Sequence, residues 1–150
     1  MTVWFHAPTD EKYGALSNFA PWGVDLDGSW WPTVEHFFQA QKFAPHDAHV
    51  EAVRPAATPK RAAAIGRERG RKLRADWEEV RDSIMRRGVL RKFELHAVPR
   101  DLLLSTGGAE IVENGADRYW GHGGDGSGFN RLGFILMDVR AELRRRLRLN

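Results

Sequence analysis

The fold is decided in residues 17–43, which read SNFAPWGVDLDGSWWPTVEHFFQAQKF. Asp27-Gly28 lies between apolar residues and predicts a β-hairpin over residues 24–31, because this dipeptide tolerates the left-handed backbone of a tight hairpin turn. Pro32-Thr33 follows and predicts a helix start, with the Thr33 hydroxyl accepting a free backbone N–H. The segment therefore predicts a hairpin that leads at once into a helix.

The predicted helix carries three polar side chains on one face, Glu35, Gln39 and Lys42. Glu35 would lie in the first turn, where the helix dipole stabilises an ionised carboxylate that suits a general base or an electrostatic stabiliser. Lys42 is flanked by Phe38 and Phe43, and a lysine desolvated by aromatic rings can become a nucleophile. A structural role is the alternative for each: Glu35 would only complement the dipole, and Lys42 would only close the helix end.

The rest of the chain predicts a mixed architecture. The expected elements are short strands at 2–6, 111–113 and 118–120 and helices that begin near Thr58-Pro59, Asp76, Pro99 and Asn130. The last helix has an apolar stripe from Leu132 to Leu147. Because no βαβ alternation is present, we predict an α+β fold, a mostly helical single domain over residues 1–150 with a small antiparallel sheet.

Composition limits the class of protein. The chain has 150 residues, of which 42% are hydrophobic and 29% charged, so a packed core is expected and disorder is not. No apolar run approaches the roughly 20 residues of a membrane span, and the start MTVWFHAPTDEK lacks the pattern of a signal peptide. We therefore expect a cytoplasmic protein with no membrane partner.

Charge and metal-binding residues also narrow the chemistry. The absence of cysteine excludes disulfides, thiolate catalysis and cysteine-ligated zinc. The six histidines include His46 and His49 three residues apart but no evident third ligand, so we predict no metal and no cofactor. A formal net charge of +3 is too small to argue for nucleic-acid binding by itself.

A glycine-rich loop, WGHGGDGSGFN, follows Asp117 and Tyr119 and begins at Trp120. Its match to G-x-G-x-x-G from Gly121 is weak evidence for a dinucleotide site, because the predicted helix starts only at Asn130. Two interpretations stay open: a loop whose backbone N–H groups hold an anion, and a flexible surface loop. Trp77 and Trp120 are aromatic residues that can stack on a flat base or pack in the core.

Several linked motifs extend over nearly the whole chain. They are residues 17–43, RAAAIGR at 61–67, RADWEEVRDSIM at 74–85, Lys92-Phe93, LLLSTG at 102–107, DRYWG at 117–121 and GFNRLGFILMDVR at 128–140. With these motifs in this order, the chain closely resembles the YbiA-like, or NADAR, family.

The resemblance implies N-glycosidase chemistry. Members similar to this chain hydrolyse the bond between ribose 5-phosphate and an amino-pyrimidine in early intermediates of riboflavin biosynthesis. Other branches remove ADP-ribose from a modified guanine. Both reactions cleave a ribose C1–nitrogen bond, so the expected partner is a small phosphorylated ribosyl-base compound, with ADP-ribosylated nucleic acid as the second possibility.

The same resemblance, read with the residue chemistry above, indicates the site. The catalytic candidates are Glu35, Asp117 and Lys42, and the substrate-binding candidates are Asn18, Phe19, His36, Gln39, Arg67, Trp77, Trp120, Gly121, Asn130 and Arg131. Glu35 and Asp117 are hypothesised to act as a carboxylate pair near C1, and Arg67 and Arg131 are candidates for holding phosphate.

Three functions therefore remain to be separated. The first is the glycosidase of riboflavin intermediates, the second an ADP-ribosyl-guanine hydrolase, and the third a module that binds ADP-ribose or a nucleotide without turnover. The sequence leaves open the choice between direct hydrolysis and a Schiff base on Lys42, the stereochemical course and the oligomeric state.

Overall fold

A computed structural model of the protein describes residues 1–43, 48–68, 70 and 72–147. In chain order its strands and α-helices are β1 (Thr2–Phe5), β2 (Val24–Leu26), β3 (Ser29–Trp31), α1 (Val34–Ala40), α2 (Ala48–Val53), α3 (Pro59–Gly66), α4 (Trp77–Leu95), α5 (Ala97–Ser105), β4 (Glu110–Glu113) and α6 (Arg131–Leu147). They form two compact units, the first comprising Met1–Ala20 with the chain from Phe93 onward, the second Pro21–Lys92.

The predicted fold class is confirmed. Six helices dominate the described residues, and the strands pair only two by two, β2 with β3 antiparallel and β1 with β4 parallel. The parallel pair was not predicted, because its partners are distant in sequence. No helix among the described residues is both long enough and apolar enough to cross a bilayer.

The first unit is built on the β1–β4 pair. In its register Val3 lies opposite Ile111 and Phe5 opposite Glu113, and Val3, Phe5 and Ile111 are buried. Helix α6 packs on β4 through the predicted apolar stripe, of which Leu132, Leu136, Val139 and Leu143 are buried. The stripe ends earlier than predicted, since Leu147 is exposed.

The second unit begins with the predicted hairpin. Asp27 and Gly28 both have positive φ, 56° and 80°, as expected for a two-residue turn that follows the twist of its strands. The hairpin is tied to α4 by Arg91, whose Nε donates to Asp25 at 2.7 Å, and by Arg87, which pairs with Asp27 at 2.8 Å. The Arg91 hydrogen bond holds the pKa of Asp25 below its ordinary value.

The predicted cap at Thr33 and the predicted helix start at Thr58-Pro59 are confirmed. Thr33 Oγ1 accepts the backbone N–H of His36 at 3.1 Å, and Thr58 Oγ1 accepts that of Arg61 at 3.0 Å, with Pro59 at the first position of α3. All seven residues of α1 are buried, and the helix packs against α2 and α3. Such a helix has no solvent face, so its polar side chains must find partners inside the protein.

The predicted strand at 118–120 is wrong, because this segment is a turn. Asp117 Oδ1 accepts the backbone N–H groups of Tyr119 at 2.8 Å and Trp120 at 2.7 Å. A side chain that takes two consecutive backbone donors folds the chain back on itself and removes them from any ladder. The helix predicted to restart at Pro99 in fact begins two residues earlier, at Ala97.

Candidate active site

The centre of the candidate site is a buried carboxylate on α1. Glu35 is 7% exposed, and its Oε1 accepts a hydrogen bond from Gln39 Nε2 at 2.7 Å, one helical turn further on. Burying an ionised carboxylate is unfavourable unless donors compensate, and an amide at i+4 supplies one in a fixed direction. The structure therefore places Glu35 and Gln39, which were predicted to share this face, in direct contact.

The other end of the Gln39 amide is unusual. Gln39 is 3% exposed, and among the described residues no donor reaches its Oε1. This oxygen lies against Gly66 of α3, where a Cβ would collide with it and would come within 2.8 Å of Gln39 Cδ. A buried acceptor without a partner is ordinarily unfavourable by about 1–3 kcal/mol, so the amide lies in an unusual position, with only its Nε2 paired to a described protein group.

Lys42 lies in the turn after α1, since the helix ends at Ala40 rather than continuing as predicted. Its Nζ is 5.9 Å from the centroid of the Phe38 ring, and the same ring packs against Trp77 at 5.2 Å. Trp77 is buried. Lysine and tryptophan thus lie against one phenylalanine, which forms an aromatic wall with a cation next to it.

His36 and Arg67, two predicted substrate-binding residues, differ in their exposure: His36 is buried and Arg67 is exposed. His36 Nδ1 is 2.8 Å from Thr33 Oγ1 and its Nε2 is 2.9 Å from the Ala56 carbonyl oxygen, so both ring nitrogens bind protein atoms. Burial lowers the pKa of His36 despite the opposing hydrogen bond to Ala56, and the neutral ring ties the start of α1 to the chain before α3. Arg67 directly follows α3 and is exposed; its predicted contact with phosphate stays a prediction.

In the first unit, Asn130 fastens the glycine-rich loop to β4. Its Oδ1 accepts the Glu113 backbone N–H and its Nδ2 donates to the Ile111 carbonyl, both at 2.9 Å. Helix α6 begins directly after Asn130, as predicted, but both ends of the Asn130 side-chain amide bind the backbone of β4. Asn130 has φ of 52°, a left-handed conformation that asparagine tolerates better than most residues.

Most backbone N–H groups of the loop are already hydrogen-bonded to protein oxygens. The backbone N–H groups of His122, Gly123 and Gly128 donate to the carbonyls of Glu113, Gly115 and His122, at 2.8, 3.0 and 2.9 Å. These three amides cannot also bind an anion. Five further N–H groups of the loop also donate to protein oxygens, so the interpretation of the loop as an anion cradle is narrowed to the few that are left.

The aromatic residues of this loop form a small cluster. Tyr119 packs edge-on against Trp120, with ring centroids 4.8 Å apart, and the Arg131 guanidinium lies 6.0 Å from the Tyr119 ring.

Asn18 is buried and Phe19 half-buried, and the Phe19 N–H bonds to Ser17 Oγ at 3.1 Å. Their predicted contacts with substrate remain predictions.

Asp117 is exposed, and its carboxylate shapes the turn that presents Trp120 and Gly121. We expect Asp117→Asn to retain activity within about threefold, because an amide oxygen can accept the same two N–H groups. Asp117→Ala should lower the free energy of unfolding by about 1 kcal/mol, as removal of a comparable side-chain cap does. Chemical denaturation and initial rates of both variants check this.

Asp117→Asn and Asp117→Ala also distinguish the role of the side chain's shape from that of its negative charge. A loss of activity in Asp117→Asn as large as that in Asp117→Ala, with the fold retained, would show that the negative charge itself is required and would favour the predicted catalytic role.

One buried carboxylate, that of Glu113, was not predicted from the sequence. Glu113 is buried, its Oε1 is 2.7 Å from His6 Nδ1, and a Cβ at Gly121 would collide with its Oε2. A Cβ at Gly115 would lie 2.8 Å from both carboxylate oxygens. The two glycines of the sequence ENGADRYWG were the available signal, since they leave room for a side chain from the preceding strand.

Metal ligands do not converge in the described parts of the chain. Within residues 1–43, 48–68, 70 and 72–147, no three His, Asp or Glu side chains are grouped so as to hold an ion. Of the histidine pair noted in the sequence, His46 lies outside the described residues, and His49 Nε2 is 3.0 Å from the Ile65 carbonyl oxygen. Metal independence of the chemistry stays a prediction.

The sequence of residues 4–144 matches the model of the NADAR domain. The chain belongs to the NADAR family. This NADAR chain is 48% identical to the N-glycosidase YbiA of Escherichia coli over 136 residues, 90% of the chain and 84% of that protein. It is 45% identical to the N-glycosidase Npun_R5314 of Nostoc punctiforme over 152 residues, which cover 99% of the chain and 97% of that protein.

A third relative is longer, and a solved structure supports the fold. The riboflavin biosynthesis protein VVA0006 of Vibrio vulnificus is 41% identical over 94% of this chain, which corresponds to 38% of that protein. The NMR structure of E. coli YbiA superposes with a TM-score of 0.89 and 44% identity, covering 99% of this chain and 88% of that one. The family predicted from the motifs is thereby confirmed.

Proposed function

We propose that this NADAR chain is an N-glycosidase that hydrolyses the ribose C1–N bond of phosphoribosylamino-pyrimidine intermediates of riboflavin biosynthesis and releases ribose 5-phosphate. The observation that carries the proposal is the buried Glu35 carboxylate, held by Gln39 on a helix without a solvent face. The names of the relatives, two N-glycosidases and a riboflavin biosynthesis protein, agree with it.

The proposed chemistry follows from the charge that develops during cleavage. Breaking the C1–N bond leaves positive charge on C1 and the ring oxygen of ribose, and a fixed carboxylate in a poorly solvated site stabilises that charge strongly. Water then adds its oxygen to C1 while its proton is transferred to a base. In this scheme Glu35 orients the water and accepts that proton. Solvent protonates the departing nitrogen, so the pyrimidine leaves as a neutral amine, and Glu35 then returns its proton to solvent, so that the net reaction consumes one water and no proton.

Further groups in the second unit suit the rest of the substrate. The Trp77 and Phe38 rings, tilted by 53° to each other, form an apolar surface, and an aromatic ring of this kind suits a pyrimidine. Arg67, exposed after α3, presents a planar guanidinium that suits phosphate. We assign the wall to the base and Arg67 to the phosphate.

A second mechanism assigns the reacting atom to Lys42, whose amine lies beside the Phe38 wall. The amine would add to C1 of the opened sugar, expel the base amine and form a Schiff base that water hydrolyses, regenerating lysine. Borohydride added during turnover would then trap a sugar adduct that Lys42→Ala cannot form. Rapid turnover without any trapped adduct would establish direct hydrolysis.

A paired substrate assay tests the function. The protein is incubated with the phosphoribosylamino-pyrimidine and, separately, with ADP-ribosylated guanosine in DNA, and the released sugar is measured. We expect ribose 5-phosphate from the first. Release of ADP-ribose from the second alone would assign the chain to reversal of guanine ADP-ribosylation, and binding of ADP-ribose without any released base would indicate a non-catalytic module.

A further inference from the structure

The strongest unexplained feature is the contact between Gln39 and Gly66. Nε2 of Gln39 donates a hydrogen bond to the Glu35 carboxylate, whereas Oε1 of Gln39 is unpaired and lies against the backbone of α3. A flexible glutamine would ordinarily turn its amide to satisfy both ends. We propose that Gly66 is a positioning residue of the active site, which acts through Gln39 to hold Glu35 in its reactive orientation. The inference rests on the proposed function.

Space at Gly66 is the physical basis. A Cβ there would overlap Gln39 Oε1 and lie 2.8 Å from Cδ and 3.0 Å from Cβ of the same side chain. The amide reaches Glu35 along this path only because position 66 lacks a side chain. The backbone of α3 thus limits the movement of the Gln39 amide by steric contact, and this contact sets the direction in which Nε2 donates.

The location of the clash separates catalysis from folding. The atom most affected is the tip of a side chain, which can rotate away at little cost, whereas backbone atoms could not. Gly66→Ala should therefore leave the fold intact while moving the Gln39 amide away from Glu35.

The test is a double-mutant cycle on kcat and KM. Gly66→Ala and Gln39→Ala should each lower kcat about tenfold, the loss expected for one hydrogen bond to a charged group, with KM changed less than threefold. The double variant should be no worse than Gln39→Ala, since both changes remove the same contact. Ala64→Ser, which adds one heavy atom at an exposed position of the same helix, is the matched control and should keep the activity of the unsubstituted protein.

A second readout is independent of turnover. The side-chain amide resonances of Gln39 in ¹H–¹⁵N spectra should shift in Gly66→Ala and stay in place in Ala64→Ser. Unmoved resonances would overturn the inference. So would shifted resonances with unchanged kcat, or losses that multiply in the double variant. If the unsubstituted protein released no sugar from either substrate, the proposed function would fail, and the resonances alone would decide whether Gly66 positions Gln39.

Discussion

Glu35→Gln is expected to lower kcat for release of ribose 5-phosphate about a thousandfold, the range that general-base and electrostatic catalysis contribute. The substitution keeps the shape of the side chain and removes its charge. The new amide oxygen can still accept the hydrogen bond of Gln39 Nε2, so the packing of α1 is retained. Initial rates and the thermal unfolding midpoint, measured on one preparation, separate lost chemistry from lost structure.

The matched control is Glu51→Gln on α2. Glu51 is an exposed glutamate that pairs with Arg54 at the surface, so the same change of charge is made outside the candidate site. The control should keep full activity. If Glu35→Gln stayed within threefold of the unsubstituted protein, Glu35 would not be the reacting carboxylate, and Lys42 would become the leading candidate.

The largest expected effect on stability belongs to Lys92 on α4. Lys92 is 1% exposed, and burial lowers the pKa of its amine from 10.5 to about 7. Between pH 7 and 10.5 the unfolded chain therefore keeps a proton that the native protein has released. Because the unfolded state binds more protons there, this residue makes the free energy of unfolding rise with pH, by up to about 1.4 kcal/mol per unit.

Lys92→Met should remove that dependence. The thioether side chain is unbranched and apolar, so it can occupy a buried site without a charge to desolvate. Urea denaturation from pH 6 to 10 should show the variant with its greatest relative stability below pH 7 and a steadily smaller advantage as the pH rises. Lys60→Met, at an exposed position of α3, is the control. A stability difference between Lys92→Met and the unsubstituted protein that is the same at every pH would show that the buried amine does not titrate in this range.

The features predicted correctly from the sequence are local. Thr33, Thr58 and Asp27-Gly28 act through atoms within a few residues of themselves, so the two helix starts and the hairpin could be read directly. The shared helix face of Glu35 and Gln39 is also local, since residues four apart on a helix are neighbours. The motif-based family assignment succeeded because it used many such segments at once.

The features that were missed depend on distant partners. Nothing near Thr2–Phe5 indicates that its parallel partner is Glu110–Glu113. Asn130 has the properties of a helix cap until the free edge of β4 is known, and Lys92 resembles any helical lysine until its burial is seen. Gly66 carries no signal of its own, because its importance lies in the space it leaves for a side chain of another helix.

The parallel pair of β1 and β4 also constrains the order in which the two units can fold during translation. Every strand and helix of the second unit except the end of α4 lies within a continuous stretch of about 70 residues, so its hairpin and helix contacts become available while the ribosome is still translating the rest. The first unit cannot close until Glu113 has been made, since its opening strand has no earlier partner. The native pairing of β1 therefore becomes possible only after more than a hundred further residues have been added.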